Sequence, residues 1–114
     1  VLPETTLHLD ERNFLEPDYV VFQHGLAIAA LKPPDVRLAI EVAHDSWAYD
    51  TGEKAERYAF HGVQEYWAIH APRRMIRVYR SGGPSGWTDV KDVAAGEAVA
   101  PLCAPDLPFR LDPA

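Results

Sequence analysis

Two apolar runs, Val36 to Val42 and Glu65 to His70, flank a segment of helical character, and that order constrains the fold more than any other feature. The first run alternates: Leu38, Ile40 and Val42 share one face, and Arg37, Ala39 and Glu41 share the other. The second is nearly continuous in apolar character, as a central strand covered on both faces requires. Between them, Asp50-Thr51-Gly52-Glu53 has the Asp-x-x-Glu form of an N-terminal capping box, so a helix is predicted from about Thr51 to His61. Gly62 stands where a helix C-terminus takes a left-handed residue. Strand, helix and strand in succession make a crossover unit, right-handed by the usual rule. The fold class that follows is α/β (α+β), a mixed β-sheet with a crossover helix.

The rest of the chain adds strands to this unit. Residues 5–9 read as a short strand and 10–17 as a charged loop ending at Glu16-Pro17. Asp18 to Gln23 is a second strand, with Asp18, Val20 and Phe22 on one face. The segment from Gly25 to Asp35 is compatible with a helical turn, a strand or a loop, and Lys32-Pro33-Pro34-Asp35 ends it. Ala71-Pro72-Arg73-Arg74 predicts a turn into an antiparallel partner strand over Met75 to Arg80. Ser81 to Gly86 reads as a flexible turn, followed by a short strand at Trp87–Val90. Beyond Asp92, four prolines and little periodicity predict a strand or two laid on the sheet edge.

With 114 residues, 47% of them hydrophobic, the chain is expected to form a single domain over 1–114 around one core. It has no run of about 18 apolar residues, so no membrane span is expected. Cys103 is the only cysteine, which excludes an internal disulfide framework and makes the cytoplasm the default. The net charge of −6, from 11 basic and 17 acidic residues, argues against gripping nucleic acid by bulk electrostatics. A metal-dependent nuclease is a partial exception, because its carboxylates hold a cation that supplies the positive charge locally.

The chemistry concentrates on three residues. Asp18 begins one strand and Glu41 ends another, so antiparallel pairing of the two brings both carboxylates to one edge of the sheet. There they suit a hard divalent cation such as Mg²⁺, with coordination sites left for water and phosphate oxygens. The plainer alternative is a turn residue after Pro17 and a solvated strand-face glutamate. Glu41 lies within Leu38–Ala43, however, which is otherwise apolar, and burial of a charge without a partner is costly. Lys54 or a metal would meet that need. Lys54 is equipped to orient or deprotonate a water or to neutralise charge on a phosphate; alternatively it is an exposed helix lysine paired with Asp50, itself read as a helix cap. On the predicted helix Lys54, Tyr58 and His61 fall on one stripe. The five histidines lack zinc-site spacing, and covalent hydrolase chemistry has no candidate nucleophile. Tyr66-Trp67 reads as core, and Arg73, Arg74, Arg77 and Arg80 as a solvated hairpin.

These residues, in this order, carry a resemblance. Pro17-Asp18, Ile40-Glu41-Val42-Ala43-His44-Asp45-Ser46, Tyr49-Asp50, Glu53-Lys54, Tyr58-Ala59 and Gly62-Val63-Gln64-Glu65-Tyr66-Trp67 resemble the Uma-two family of restriction-endonuclease-like proteins, within the PD-(D/E)XK nuclease superfamily. Gly96-Glu97-Ala98-Val99 and Pro105-Asp106-Leu107-Pro108 look like its closing segment. The resemblance implies a restriction-endonuclease-like fold and a Mg²⁺- or Mn²⁺-dependent endonuclease acting on DNA. It assigns Asp18, Glu41 and the backbone carbonyl of Val42 to the metal and makes Asp18, Glu41 and Lys54 the catalytic set. The superfamily's usual lysine position is Ala43 here, and Lys54 on the following helix takes its place. The family's N-terminal helix-containing segment, with its further acidic residue, is not recognised, so an N-terminally truncated domain is expected. That in turn makes a homodimer plausible, since an edge strand or an uncovered sheet face invites covering. A non-catalytic nuclease-fold domain that binds protein or nucleic acid is the alternative function.

Overall fold

The computed structural model describes residues 2–3, 7–8, 14–15, 18–22 and 32–113. Its centre is the strand pair that the apolar runs predict. The first run is β5, Val36–Ala43, and the second is β6, Glu65–His70; they lie parallel, with Glu41 opposite Ala68. Four strands precede them, β1 (Leu2–Pro3), β2 (Leu7–His8), β3 (Phe14–Leu15) and β4 (Tyr19–Phe22), and β7 (Met75–Gly83) follows. The chain completes the sheet with β8, Gly86–Val93. Six strands form one sheet in the order β1-β4-β5-β6-β7-β8, while β2 and β3 pair separately. Every neighbouring pair in the large sheet is antiparallel except β5–β6, so the sheet is mixed. The arrangement is α+β, a mixed sheet with helices in its one parallel crossover, as expected.

Between β4 and β5 the register slips: Val21 opposes Leu38, and Phe22 opposes Val36. Arg37 is the extra residue of this bulge, which turns Val36 to the opposite face from Leu38. The two faces carry separate clusters. Val20, Ala39, Tyr58, Tyr66 and Tyr79 pack beneath the helices. Leu38, Trp67, Ile76, Val78 and Val93 pack on the other side with Val99 of the C-terminal segment. That segment is folded back on itself by a Val99–Phe109 bridge. A buried ion pair fastens it: Glu65, fully buried, accepts from Trp67 Nε1 (2.8 Å), Arg80 Nε (2.9 Å) and the Leu102 amide (2.8 Å). Arg80 also donates to the Ala100 carbonyl at 2.7 Å.

Several expectations need correcting. The helix predicted over Thr51–His61 is α2 (Glu53–Phe60), and a short helix that was not expected, α1 (Trp47–Thr51), precedes it across Gly52 (φ −107°, ψ −103°). Asp50 therefore lies inside α1 and does not cap α2; it is buried with an ionic partner instead. The end of α2 follows the sequence: Gly62 has φ +95°, and the Val63 amide donates back to the Tyr58 carbonyl at 3.1 Å. Phe14–Leu15, read as loop, pairs with Leu7–His8. The Ser81–Gly86 turn shrinks to Pro84-Ser85, because β7 continues to Gly83 and pairs with β8 from Gly86. Of the early readings, residues 5–6, 9–13, 16–17 and 23–31 lie outside the described residues. Among the described residues, no helix is long and apolar enough to cross a membrane.

Candidate active site

The antiparallel pairing of β4 with β5 sets Tyr19 opposite Ile40, which brings Asp18 alongside Glu41 and Val42. β4 begins only at Tyr19, and beside Asp18 side chains take over the hydrogen bonding. The Val42 amide donates to Asp18 Oδ2 at 2.6 Å, and the Asp18 amide donates to Glu41 Oε1 at 3.3 Å. Asp18 and Glu41 are thus neighbours, each carboxylate accepting from a backbone amide of the other's strand end.

The other oxygen of Glu41 faces the helices. Tyr58 donates its hydroxyl to Oε2 at 2.9 Å, and the Lys54 ammonium lies 3.0 Å from the same atom. Lys54 also reaches Asp50 Oδ1 at 2.9 Å, so both proposed partners of this lysine are real. Glu41 is 3% exposed and Asp50 2%, which makes the ammonium a bridge between two buried carboxylates. Ser46 donates to the second oxygen of Asp50 at 2.8 Å. For Asp50 Oδ1 the ammonium is the counter-charge, and no hydrogen bond of good geometry reaches that atom among the described residues. Asp50 lies in the last turn of α1 and Lys54 in the first turn of α2, four residues apart across Gly52.

Burial pushes the Glu41 carboxyl above the usual carboxylate range; the Lys54 ammonium and the Tyr58 hydroxyl offset only part of that. Desolvation draws Lys54 downward, but its contacts with Asp50 and Glu41 outweigh it and leave the lysine above its ordinary value. Lys54 is therefore an ammonium at neutral pH. It can donate hydrogen bonds and offset negative charge, whereas it holds its proton too tightly to act as a base. Burial, reinforced by the negative charge of Glu41, also raises the Tyr58 and Tyr66 phenols, which remain neutral donors.

Asp18, Glu41 and Asp50 against one ammonium leave the cluster net negative, a setting that favours a further cation. The donor chemistry fits a hard one. Asp18 Oδ1 carries no bond among the described residues, and it stands beside Glu41. Within a strand the amide and carbonyl of one residue point to the same side, so the Val42 carbonyl faces the Asp18 side, as its amide does. Two carboxylates and a carbonyl, completed by water, are a donor set that Mg²⁺ accepts. No group of three or more His, Cys, Asp or Glu suited to a metal is found among the described residues, so such an ion would keep several waters.

The remaining candidates go elsewhere. His61 leaves the stripe and lines a groove between α2 and β8. Tyr66 and Trp67 are core. Two of the hairpin arginines are engaged within the chain, Arg77 with Asp92 at 2.7 Å and Arg80 with Glu65, while Arg73 and Arg74 are exposed. One residue escaped the sequence reading as part of the site: Tyr58, which donates to Glu41. The pairing of Lys54 with Asp50 was readable from their spacing of four, but there it belonged to an exposed helix, and the structure buries it.

A search of curated proteins finds no match. The family model Uma2, described as "Putative restriction endonuclease", matches residues 1–112. With a match of that extent, and a mixed sheet that brings Asp18, Glu41 and Lys54 to one place, the chain belongs to the Uma2 family of restriction-endonuclease-like proteins.

Proposed function

We propose that this chain is a divalent-metal-dependent endonuclease that hydrolyses DNA phosphodiester bonds, using Mg²⁺ or Mn²⁺. The observation that carries the reading is the convergence of Asp18, Glu41 and Lys54 at the end of β5. Family membership supports nuclease chemistry in general. Asp18 and Glu41 hold the ion with help from the Val42 carbonyl. When bound, the ion supplies Lewis acidity, lowering the pKa of water and stabilising negative charge on phosphate and leaving oxygens. Lys54 donates to a phosphate oxygen or to the incoming water, because its ammonium is fixed by Asp50 and Glu41 on the side away from solvent. Tyr58 holds the Glu41 carboxylate in place from the helix side. The cytoplasm is its proposed location and a homodimer its proposed state.

One observation favours a second reading, a non-catalytic nuclease-fold domain. Both oxygens of Glu41 already have donors from the chain itself, so the cluster is also competent as a purely structural ion-pair network. Plasmid and single-stranded DNA cleavage with Mg²⁺ or Mn²⁺ separates the two. The nuclease reading expects cleavage by the parent that is lost in Asp18→Asn and Glu41→Gln variants that still fold. A parent that neither cleaves DNA nor binds Mn²⁺ in calorimetry supports the non-catalytic domain.

A further inference from the structure

The strand β8 is the outer edge of the large sheet: among the described residues it pairs with β7 and with nothing on its other side. It is eight residues long, and Thr88 to Asp92 are all exposed. A long exposed edge is a template for pairing with another strand. The sequence of this edge specifies which one. Reading Trp87-Thr88-Asp89-Val90-Lys91-Asp92-Val93 from its centre, Val90 is flanked by one acid and one base.

The geometry points to a homodimer in which two β8 strands pair antiparallel about a two-fold axis at Val90, joining two sheets into one. In that register Asp89 of each copy lies opposite Lys91 of the other, so the strand is complementary in charge to itself. Neither side chain has an ion-pair partner within the chain among the described residues, so both charges are available. The alternatives are poor. Because the side-chain period is two, the register moves in steps of two if the faces are to be kept. One step sets Asp89 against Asp89, and the opposite step sets Lys91 against Lys91.

The helix-side surface beside this edge is also suited to burial. Val90 shares a face with its β7 partner Tyr79, and behind it a groove of about 650 Å³ runs between α2 and β8, lined in part by Phe60, Trp87 and Val90. Phe60 is 62% exposed and Val90 47%, the largest apolar exposures on that side. A two-fold axis normal to the sheet keeps the helices of both copies on one face, so Val90 meets its own counterpart there. The apolar contact adds burial that a strand edge alone, small beside a standard interface, does not supply. This inference concerns the edge opposite the β4 side and does not depend on nuclease activity.

The test is the mass in solution by sedimentation across a dilution series, on the full chain. The expected result is twice the chain mass of 12.7 kDa. Lys91→Glu turns both cross-strand pairs repulsive and is expected to weaken association by about tenfold or more, while the swap Asp89→Lys with Lys91→Asp restores it. Both sites are exposed, so circular dichroism should show the fold unchanged. In a Cys103→Ser background, Val90→Cys should form an intermolecular disulfide on mild oxidation and Asp89→Cys should not. A chain that remains at 12.7 kDa throughout overturns the proposal. So does a dimer that ignores Lys91→Glu and fails to cross-link at Val90, which would place its interface elsewhere.

Discussion

Replacing Lys54 with methionine removes the charge at the centre of the site while keeping most of the stem. The structure gives the size of the effect. Glu41 and Asp50, 3% and 2% exposed, lose their shared counter-ion but keep other donors: Tyr58 and the Asp18 amide for Glu41, Ser46 for Asp50. Breaking a buried pair from one side costs about 3–5 kcal/mol, and the surviving bonds put this case near the lower end, about 3 kcal/mol. For a domain whose stability is about 5–15 kcal/mol, that is a large share. Urea unfolding followed by tryptophan fluorescence reads it as a midpoint lowered by about 1–3 M. The pH dependence provides the second check. Folded Glu41 keeps its proton to higher pH than the unfolded chain does, so its favourable contribution is present at low pH and lost as pH rises through the folded value. Without the ammonium that shift grows, so the deficit of Lys54→Met should shrink as pH falls from neutrality. Adding Glu41→Gln to Lys54→Met should restore part of the loss. A cost below about 1 kcal/mol, the range of a surface pair, with no change on acidification would refute the bridging role of Lys54.

Three further outcomes are expected. Arg80→Met leaves the fully buried Glu65 without its counter-ion and frees the Ala100 carbonyl, so it should cost about 3 kcal/mol and open the C-terminal segment to limited proteolysis; an unchanged digestion pattern counts against the fastening role. Gly62→Ala forces a side chain onto φ +95° with Pro34 Cγ 3.2 Å from the new Cβ, at a cost of about 1 kcal/mol or more, read as a lowered melting temperature. The Lys54 contribution, with its folded pKa raised, is complete below the ordinary lysine value and lost as pH rises through the higher folded one. Alkaline titration of stability should therefore bring the parent and Lys54→Met together, and curves that stay parallel contradict the shift.

Much of this architecture was legible in the residues. The β5–helix–β6 crossover followed from the period of the two runs and from Gly62, and the proximity of Asp18 to Glu41 followed from placing one at the start and the other at the end of neighbouring strands. What was hidden depends on contacts between distant segments. Asp50-x-x-Glu53 has the form of a cap, and only the packing of α1 against β5 converts Asp50 into a buried anchor. Ser81-Gly82-Gly83 has the composition of a turn yet continues β7. The ring of Trp87 lies where a side chain at Gly82 would be, 2.9 Å from a would-be Cβ, so glycine there is a packing requirement of the strand. Arg77 and Arg80, three apart on β7, take opposite faces as their spacing requires, and what was hidden is that Arg80 pairs with the buried Glu65 while Arg77 forms an exposed pair with Asp92.

The end of β4 has a spectroscopic consequence. At Val42 the position that a neighbouring strand would fill is taken by the Asp18 carboxylate, and one amide proton points straight at it. Anything that draws on that carboxylate also changes the environment of this proton. In a ¹⁵N-correlated spectrum the Val42 cross-peak, with its rate of exchange against deuterium, is thus a built-in gauge of the state of Asp18. It requires no substrate, and it can be read in a protein that turns nothing over.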